Sequence, residues 1–224
     1  MKEFFNKTID WTSQDRENFL NESRVKKMIR LVPSFARVLD MGCFTGDMLE
    51  EIRTKRSAVE VWGADCNESF VDMTLKKNIP ACATNFEKFQ PFDEERFDVV
   101  VAGELIEHIY NTEVFLSEIH RMLKPNGLLI LSTPNFNYWA FRLHHLLGHT
   151  LPVIGLESGD NTEFPPHIRY YNKKSLNTML EKNGFKVDRI IGSNILNQGP
   201  WKLEGLANIV PDISYHLIAV ARKG

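Results

Sequence analysis

Several things are scarce in this chain, and each scarcity excludes a class of protein. Cysteine occurs three times, as Cys43, Cys66 and Cys82, an odd count with no C-x-x-C spacing. A disulfide framework is therefore not expected, and a reducing cytoplasm is the expected compartment. Long apolar runs are missing: stretches such as GLLIL at 127–131 fall far below the ~20 residues of a spanning helix. The opening MKEFFNKTID has no apolar core of the signal-peptide kind, and no membrane insertion is expected. Charge of one sign is not in excess, with 27 basic against 29 acidic side chains and a net charge of -2. That balance argues against a duplex nucleic acid or an anionic membrane as partner. The basic stretch Arg24, Lys26, Lys27, Arg30 reads as a solvated helix face. No internal repeat or low-complexity linker divides the chain, so one domain over 1–224 is expected.

What is present is an ordinary globular composition, 43% hydrophobic and 25% charged over 224 residues, enough for a substantial core. Helical spacing of Phe19, Leu20, Val25, Met28 and Ile29 predicts a helix over 13–32, with Ser13 as its cap. Strand and helix patterns then alternate. ARVLDMG (36–42), AVEVWGAD (58–65), PACATN (80–85), RFDVVVAGE (96–104) and LLILSTP (128–134) read as strands. Helices are expected over 45–56, 67–78 and 111–124. Such alternation implies right-handed βαβ units and a doubly wound α/β sheet of the Rossmann type. The period is lost over 135–172, where Asn, Pro, Gly, His and aromatics predict a lid insertion. A helix over 173–185 and strands over 186–192 and 214–221 complete the chain.

The strongest local signal is VLDMGCFTG at 38–46, where a strand ends and a helix begins. Gly42 lets the backbone turn close to a ligand, and Gly46 lets the helix approach the strand. Asp65 follows Gly42 by 23 positions at the end of the second strand. Dinucleotide folds place an acid ~20 positions after their glycines, against the ribose hydroxyls. Asp40 lies at the end of an apolar strand, where a carboxylate is costly unless paired; it orders the loop or meets a ligand cation. The spacing D-x-G-x-x-x-G is neither G-x-G-x-x-G nor a Walker loop with its lysine. A nucleoside cofactor without phosphates suits it better.

These residues resemble the class I S-adenosylmethionine-dependent methyltransferases. VLDMGCFTG is similar to their first motif, TNFEKFQPFDEERFDVVVAGELIEHI (84–109) to their adenine and fourth-strand region, and LKPNGLLILSTPN (123–135) to their fifth strand. Within the superfamily the chain resembles ubiquinone-biosynthesis-type O-methyltransferases and enzymes of surface-polysaccharide pathways. The resemblance implies a seven-stranded sheet with its last strand antiparallel, and S-adenosyl-L-methionine as cofactor. It also implies a small-molecule or saccharide acceptor methylated on oxygen. By position it assigns Asp40, Gly42, Cys43 and Gly46 to the methionine side and Asp65 and Cys66 to the ribose and adenine. Asn85 and Phe86 fall at the base, and Glu104 near the sulfonium. Phe44 departs from the pattern, standing where many relatives carry a glycine.

A hydroxyl acceptor needs a base, and His108 and His167 are the candidates, since imidazole titrates near neutrality. Glu104, Glu107 and His108 form E-x-x-E-H, which on a helix shares one side and could hold a divalent cation with His167. Ubiquinone-type and small-RNA 2′-O-methyltransferases use a similar cluster with metal, while many metal-free relatives keep the same letters; no metal is the expectation. Aromatics from the N-terminal segment (Phe4, Phe5, Trp11) and the lid (Tyr138, Trp139, Tyr170, Tyr171) could close over an acceptor. Two alternatives stand beside this: a non-catalytic methyltransferase-like partner domain, and a small-RNA methyltransferase.

Overall fold

The computed structural model describes residues 11–149, 167–196 and 203–224. The N-terminal helix expected over 13–32 is two helices, α1 (Ser13–Asn21) and α2 (Ser23–Leu31). They part at Glu22, whose backbone is extended (φ -58°, ψ 134°). Thr12, not Ser13, caps α1: its side chain accepts from the Asp15 N–H while the Asp15 carboxylate accepts from the Thr12 N–H, a capping box that satisfies two orphan donors. α2 buries Val25, Met28 and Ile29, and with them Arg24. The solvated basic face holds for Lys26 and Arg30, which are exposed, and is corrected for the other two: Arg24 is 7% exposed, and Lys27 turns to Glu204, Nζ to Oε2 2.6 Å.

The strands are β1 (Arg37–Met41), β2 (Glu60–Asp65), β3 (Ala81–Ala83), β4 (Phe97–Gly103), β5 (Leu123–Pro134), β6 (Phe185–Ser193) and β7 (His216–Lys223). They form one sheet in the order β3-β2-β1-β4-β5-β7-β6. β1 to β5 pair in parallel, and β7 runs antiparallel between β5 and β6, the topology the resemblance implied. β5 begins earlier than expected, at Leu123, because the chain pairs with Phe97 before a register shift.

Alternation along β4 explains the layers. Val100 and Ala102 enter one core with Phe115, Leu116 and Ile119 of α5 (Thr112–Met122) and Leu176 and Leu180 of α7 (Lys173–Lys182). Val99 and Val101 enter the other core, with Met28 of α2 and Leu49 and Ile52 of α3 (Asp47–Lys55). A strand apolar on both faces is what a sheet covered by helices on both sides requires. α4 (Glu68–Leu75) is capped by Asn67, whose side chain accepts from the Ser69 N–H.

Both described ends of the expected lid are fastened. Asn135 is fully buried, and its Nδ2 faces the carbonyls of Pro211, Asp212 and Ser214 at 3.3, 3.0 and 2.8 Å. The Phe136 N–H donates to the Tyr171 carbonyl (2.8 Å). Phe141 of α6 (Trp139–Leu146) and Tyr138 just before that helix pack on Tyr215. Lid residues 150–166, and Phe4 and Phe5, lie outside the described residues. Among the described residues no helix is long and apolar enough to cross a membrane.

Candidate active site

In the strand order, β1 lies between β2 and β4. That is the switch point of a doubly wound sheet, and ligands bind there outside the carboxyl ends of the strands. The glycine loop leaves β1 at this place. Gly42 and Gly46 both have left-handed backbone, φ 78° and 75°, which glycine adopts without strain. The N–H groups of Gly42 and Cys43 donate to the Ala64 carbonyl at 2.8 and 3.1 Å, tying the loop to the end of β2. At Gly46 a Cβ would stand 2.8 Å from Thr74 Oγ1, so close packing on α4 also demands glycine.

Asp65 orders the loop from the other side. Its Oδ2 accepts from the Phe44 N–H (3.0 Å) and its Oδ1 from the Asn67 N–H (2.9 Å). Burial nonetheless raises its pKa, against the hydrogen bonds of Asn67, Phe44 and Cys66. Asp40 is 1% exposed, and its Oδ1 has no hydrogen-bond partner among the described residues. Burial, then Asp65, pushes its carboxyl well above the usual range, while Arg24 pulls it back.

Other assigned residues fall less simply. Cys43 turns its thiol away, against Thr74 Oγ1 at 3.7 Å, and burial raises its pKa well above the ordinary value. It serves the loop through its backbone. Cys66 faces Asp65, and burial and that carboxylate push its thiol to about 12. Asn85 is exposed; its Oδ1 accepts from the Glu87 N–H (2.9 Å). Phe86 is 4% exposed and packs 6.3 Å from Phe115, in the core.

The E-x-x-E-H run is not helical throughout. Glu104 has φ 50°, and only Ile106–His108 form a single 3-10 turn. The run therefore splits. Glu104 accepts from Ser132 Oγ (2.8 Å) and lies 3.9 Å from Arg24 Nε and 3.5 Å from His216 Nε2. Arg24 Nε is buried with no hydrogen-bond partner among the described residues. His216 is held neutral: burial, then the charge of Arg24, lowers its pKa to about 3.

Glu107 and His108 gather with His167 instead. The two imidazole rings are 4.8 Å apart, and ligand atoms of Glu107, His108 and His167 all lie within 4.8 Å of one another. Residues 59 positions apart meet because Ile168 and Arg169 donate their N–H groups to the Glu107 carbonyl (3.0 and 3.1 Å). Arg169 adds its guanidinium to the carbonyls of Ile109 and Tyr110. Glu107 is 1% exposed; Thr133 donates to its Oε2 (3.0 Å), and its Oε1 has no hydrogen-bond partner among the described residues. Burial, then Glu104, pushes its carboxyl well above the usual range. Burial, then His108, lowers the pKa of His167, with Glu104 opposing. That imidazole is therefore neutral at pH 7. Burial pushes the Tyr171 phenol to about 12.

Sequence reasoning missed Arg24, Ser132, Thr133 and His216. The one available signal was Arg24 itself, a turn before Met28 on the apolar stripe of α2. Of the aromatics expected over an acceptor, Trp11 goes instead to the glycine loop, 4.7 Å from Phe44.

Comparisons with known proteins point to one family and one fold. A family model described as a methyltransferase domain matches residues 14–190. A ubiquinone biosynthesis O-methyltransferase of Bradyrhizobium diazoefficiens is 34% identical over 139 residues, 57% of this chain and 53% of that protein. The human mitochondrial protein of that name is 28% identical over 164 residues, covering 70% of this chain and 43% of its own length. The chain thus spans about half the length of these curated relatives. Among solved structures, an S-adenosylmethionine-dependent methyltransferase of Thermotoga maritima, described as a possible histamine N-methyltransferase, superposes with a TM-score of 0.68. It is 18% identical and covers 90% of this chain and 88% of its own. One from Aquifex aeolicus superposes with a TM-score of 0.62 at 16% identity, covering 96% of this chain and 100% of its own. At such identities the likeness shows the fold alone.

Proposed function

The chain belongs to the methyltransferase-domain family, whose cofactor is S-adenosylmethionine, and from that premise we propose that it methylates a hydroxyl of a small molecule. A phenol or a saccharide is the acceptor class. The carrying observation is the meeting of His108 and His167, rings 4.8 Å apart, on the turn that follows the carboxyl end of β4. An oxygen acceptor needs a proton removed as it attacks, and a neutral imidazole supplies that, worth ~10²–10⁴-fold in rate. His167 is the proposed base and His108 its orienting neighbour.

The sulfonium is an activated donor, so most of the protein's work is alignment for in-line displacement. Asp65 would accept the ribose hydroxyls in place of the Cys66 thiol, a weaker donor. The 42–46 backbone and Asp40 would line the methionine part. Arg24, a buried guanidinium whose Nε makes no hydrogen bond among the described residues, would receive the cofactor carboxylate, and Glu104 would hold that guanidinium in place. Asn85 would reach the adenine edge, while Phe86 supports it from the core. The lid stems at 135–149 and 167–172 would bound the acceptor. Cytoplasmic residence is supported by three free cysteines, and the charge balance of the chain supports a partner other than nucleic acid.

A second reading is favoured by one observation: the carboxylate of Glu107 lies beside two imidazoles, and its Oε1 has no hydrogen-bond partner among the described residues. Carboxylate and imidazole donors fit a divalent cation, which would be held by Glu107, His108 and His167 and would acidify an acceptor hydroxyl. Transfer of labelled methyl from S-adenosylmethionine to a phenol panel tests the first reading; no transfer, with cofactor bound, favours the partner-domain alternative. A chelator arm separates the two chemistries. Unchanged turnover is expected if His167 is the base. A loss of more than ~10-fold, restored by magnesium or zinc, establishes the cation reading.

A further inference from the structure

Phe44 occupies left-handed backbone, φ 49°, which favours glycine. Contacts must therefore hold it there. Its ring lies between Trp11 (centroids 4.7 Å) and Phe70 of α4 (4.3 Å), both edge-on, a favourable arrangement of aromatic quadrupoles. Trp11 continues the stack to Phe19 of α1 (6.2 Å). Bonded to Trp11 is Asp47, the first residue of α3 and 1% exposed. It gathers Trp11 Nε1 (2.9 Å), Arg16 Nε (2.8 Å), Thr45 Oγ1 (2.6 Å) and Lys77 Nζ (3.2 Å). Arg16 reaches Glu50 as well (2.7 Å). α1 has no buried residue, so these contacts are a large part of its attachment. The Phe44 N–H meanwhile donates to Asp65 (3.0 Å). One residue thus joins the N-terminal segment, through its ring, to the end of β2, through its backbone.

We propose that Phe44 is a positioning residue that couples docking of residues 11–21 to the shape of the cofactor loop, so that segment and cofactor are held and released together. The inference rests on the reading of 42–46 and Asp65 as the cofactor site. If docking favours the bound loop, bound cofactor favours docking by the same factor, since coupling between two sites is reciprocal.

The test uses the full chain with S-adenosylhomocysteine as probe. Its dissociation rate is measured for the unaltered chain, Phe44→Gly, Phe44→Tyr, Trp11→Ala and the Phe44→Gly/Trp11→Ala double variant. Hydrogen exchange of 11–21 is followed with and without the probe. Phe44→Gly and Trp11→Ala should each speed dissociation about 10-fold, within the usual range of coupling. The double variant should be no faster than the worse single one. Phe44→Tyr should restore slow release, and KM for the cofactor should rise more than kcat falls. Bound probe should slow exchange at 11–21 in the unaltered chain. Unchanged dissociation, additive effects, or exchange at 11–21 indifferent to the probe overturns the proposal. If the unaltered chain binds no probe, the cofactor reading fails instead. The coupling is then judged by exchange alone: Phe44→Gly must still loosen 11–21, and equal exchange overturns it. Phe44→Leu replaces Phe44→Gly should the latter not fold.

Discussion

Replacing Asp65 separates its two tasks. In the unliganded chain its carboxylate accepts the N–H groups of Phe44 and Asn67 at 3.0 and 2.9 Å. Hydrogen bonds to a charged acceptor contribute about 1.5–3 kcal/mol each. Burial already disfavours the ionised carboxyl, as its raised pKa shows, and that offsets part of the gain. Asp65→Ala should therefore destabilise the fold by about 1–3 kcal/mol, a drop of several degrees in melting temperature for a chain of this size. Cofactor binding should suffer more, because two ribose hydroxyls lose their acceptor and the loop loses its tie. A loss of about 2–4 kcal/mol corresponds to about 30- to 700-fold in Kd. Titration calorimetry with S-adenosylhomocysteine, well below the melting temperature of the variant, measures this. The same titration with a 2′,3′-dideoxy analogue isolates the hydroxyls, since that ligand should distinguish Asp65→Ala from the unaltered chain far less. Unchanged affinity for S-adenosylhomocysteine in a folded variant would refute the ribose assignment. An equal loss for both ligands would show that Asp65 acts only by ordering the loop.

Arg24→Met should weaken S-adenosylhomocysteine at least 10-fold yet leave methylthioadenosine, which lacks the carboxylate, nearly unaffected; equal losses would remove Arg24 from the cofactor site. Gly46→Ala should lose about 2–5 kcal/mol, from left-handed alanine and from crowding on Thr74. Thr74→Ala in the same chain should recover only the crowding part, and an unchanged melt would contradict the close packing. His216 binds a proton in the unfolded chain near 6.5 but in the fold only near 3. Its contribution is complete above pH 6.5 and is lost as pH falls toward 3, by up to about 1.4 kcal/mol per unit. His216→Gln should flatten the acid side of the stability profile by that amount, and an identical profile would sink the assignment. The chelator experiment supplies the remaining test, of Glu107, His108 and His167 as ligands.

The sheet and the glycine loop are legible in the sequence, because both are written in local chemistry. Apolar strands alternating with amphipathic helices admit few topologies. VLDMGCFTG and Asp65 carry their meaning in glycine conformation and in spacing along the chain. Contacts distant in sequence were another matter. Helical periodicity spanned Glu22, where one extended residue makes two helices, and that break sets Arg24 on the face that enters the fold. E-x-x-E-H looked like one helical side, but left-handed Glu104 divides it between Arg24 and His167. Cys43 and Phe86 match a motif by position, yet packing against Thr74 and Phe115 turns their side chains inward. The meeting of His108 with His167 depends on Ile168 and Arg169 bonding to the turn after β4. Only tertiary structure decides such pairings, because the free energy that forms them comes from burial and hydrogen bonds between elements that no local period connects.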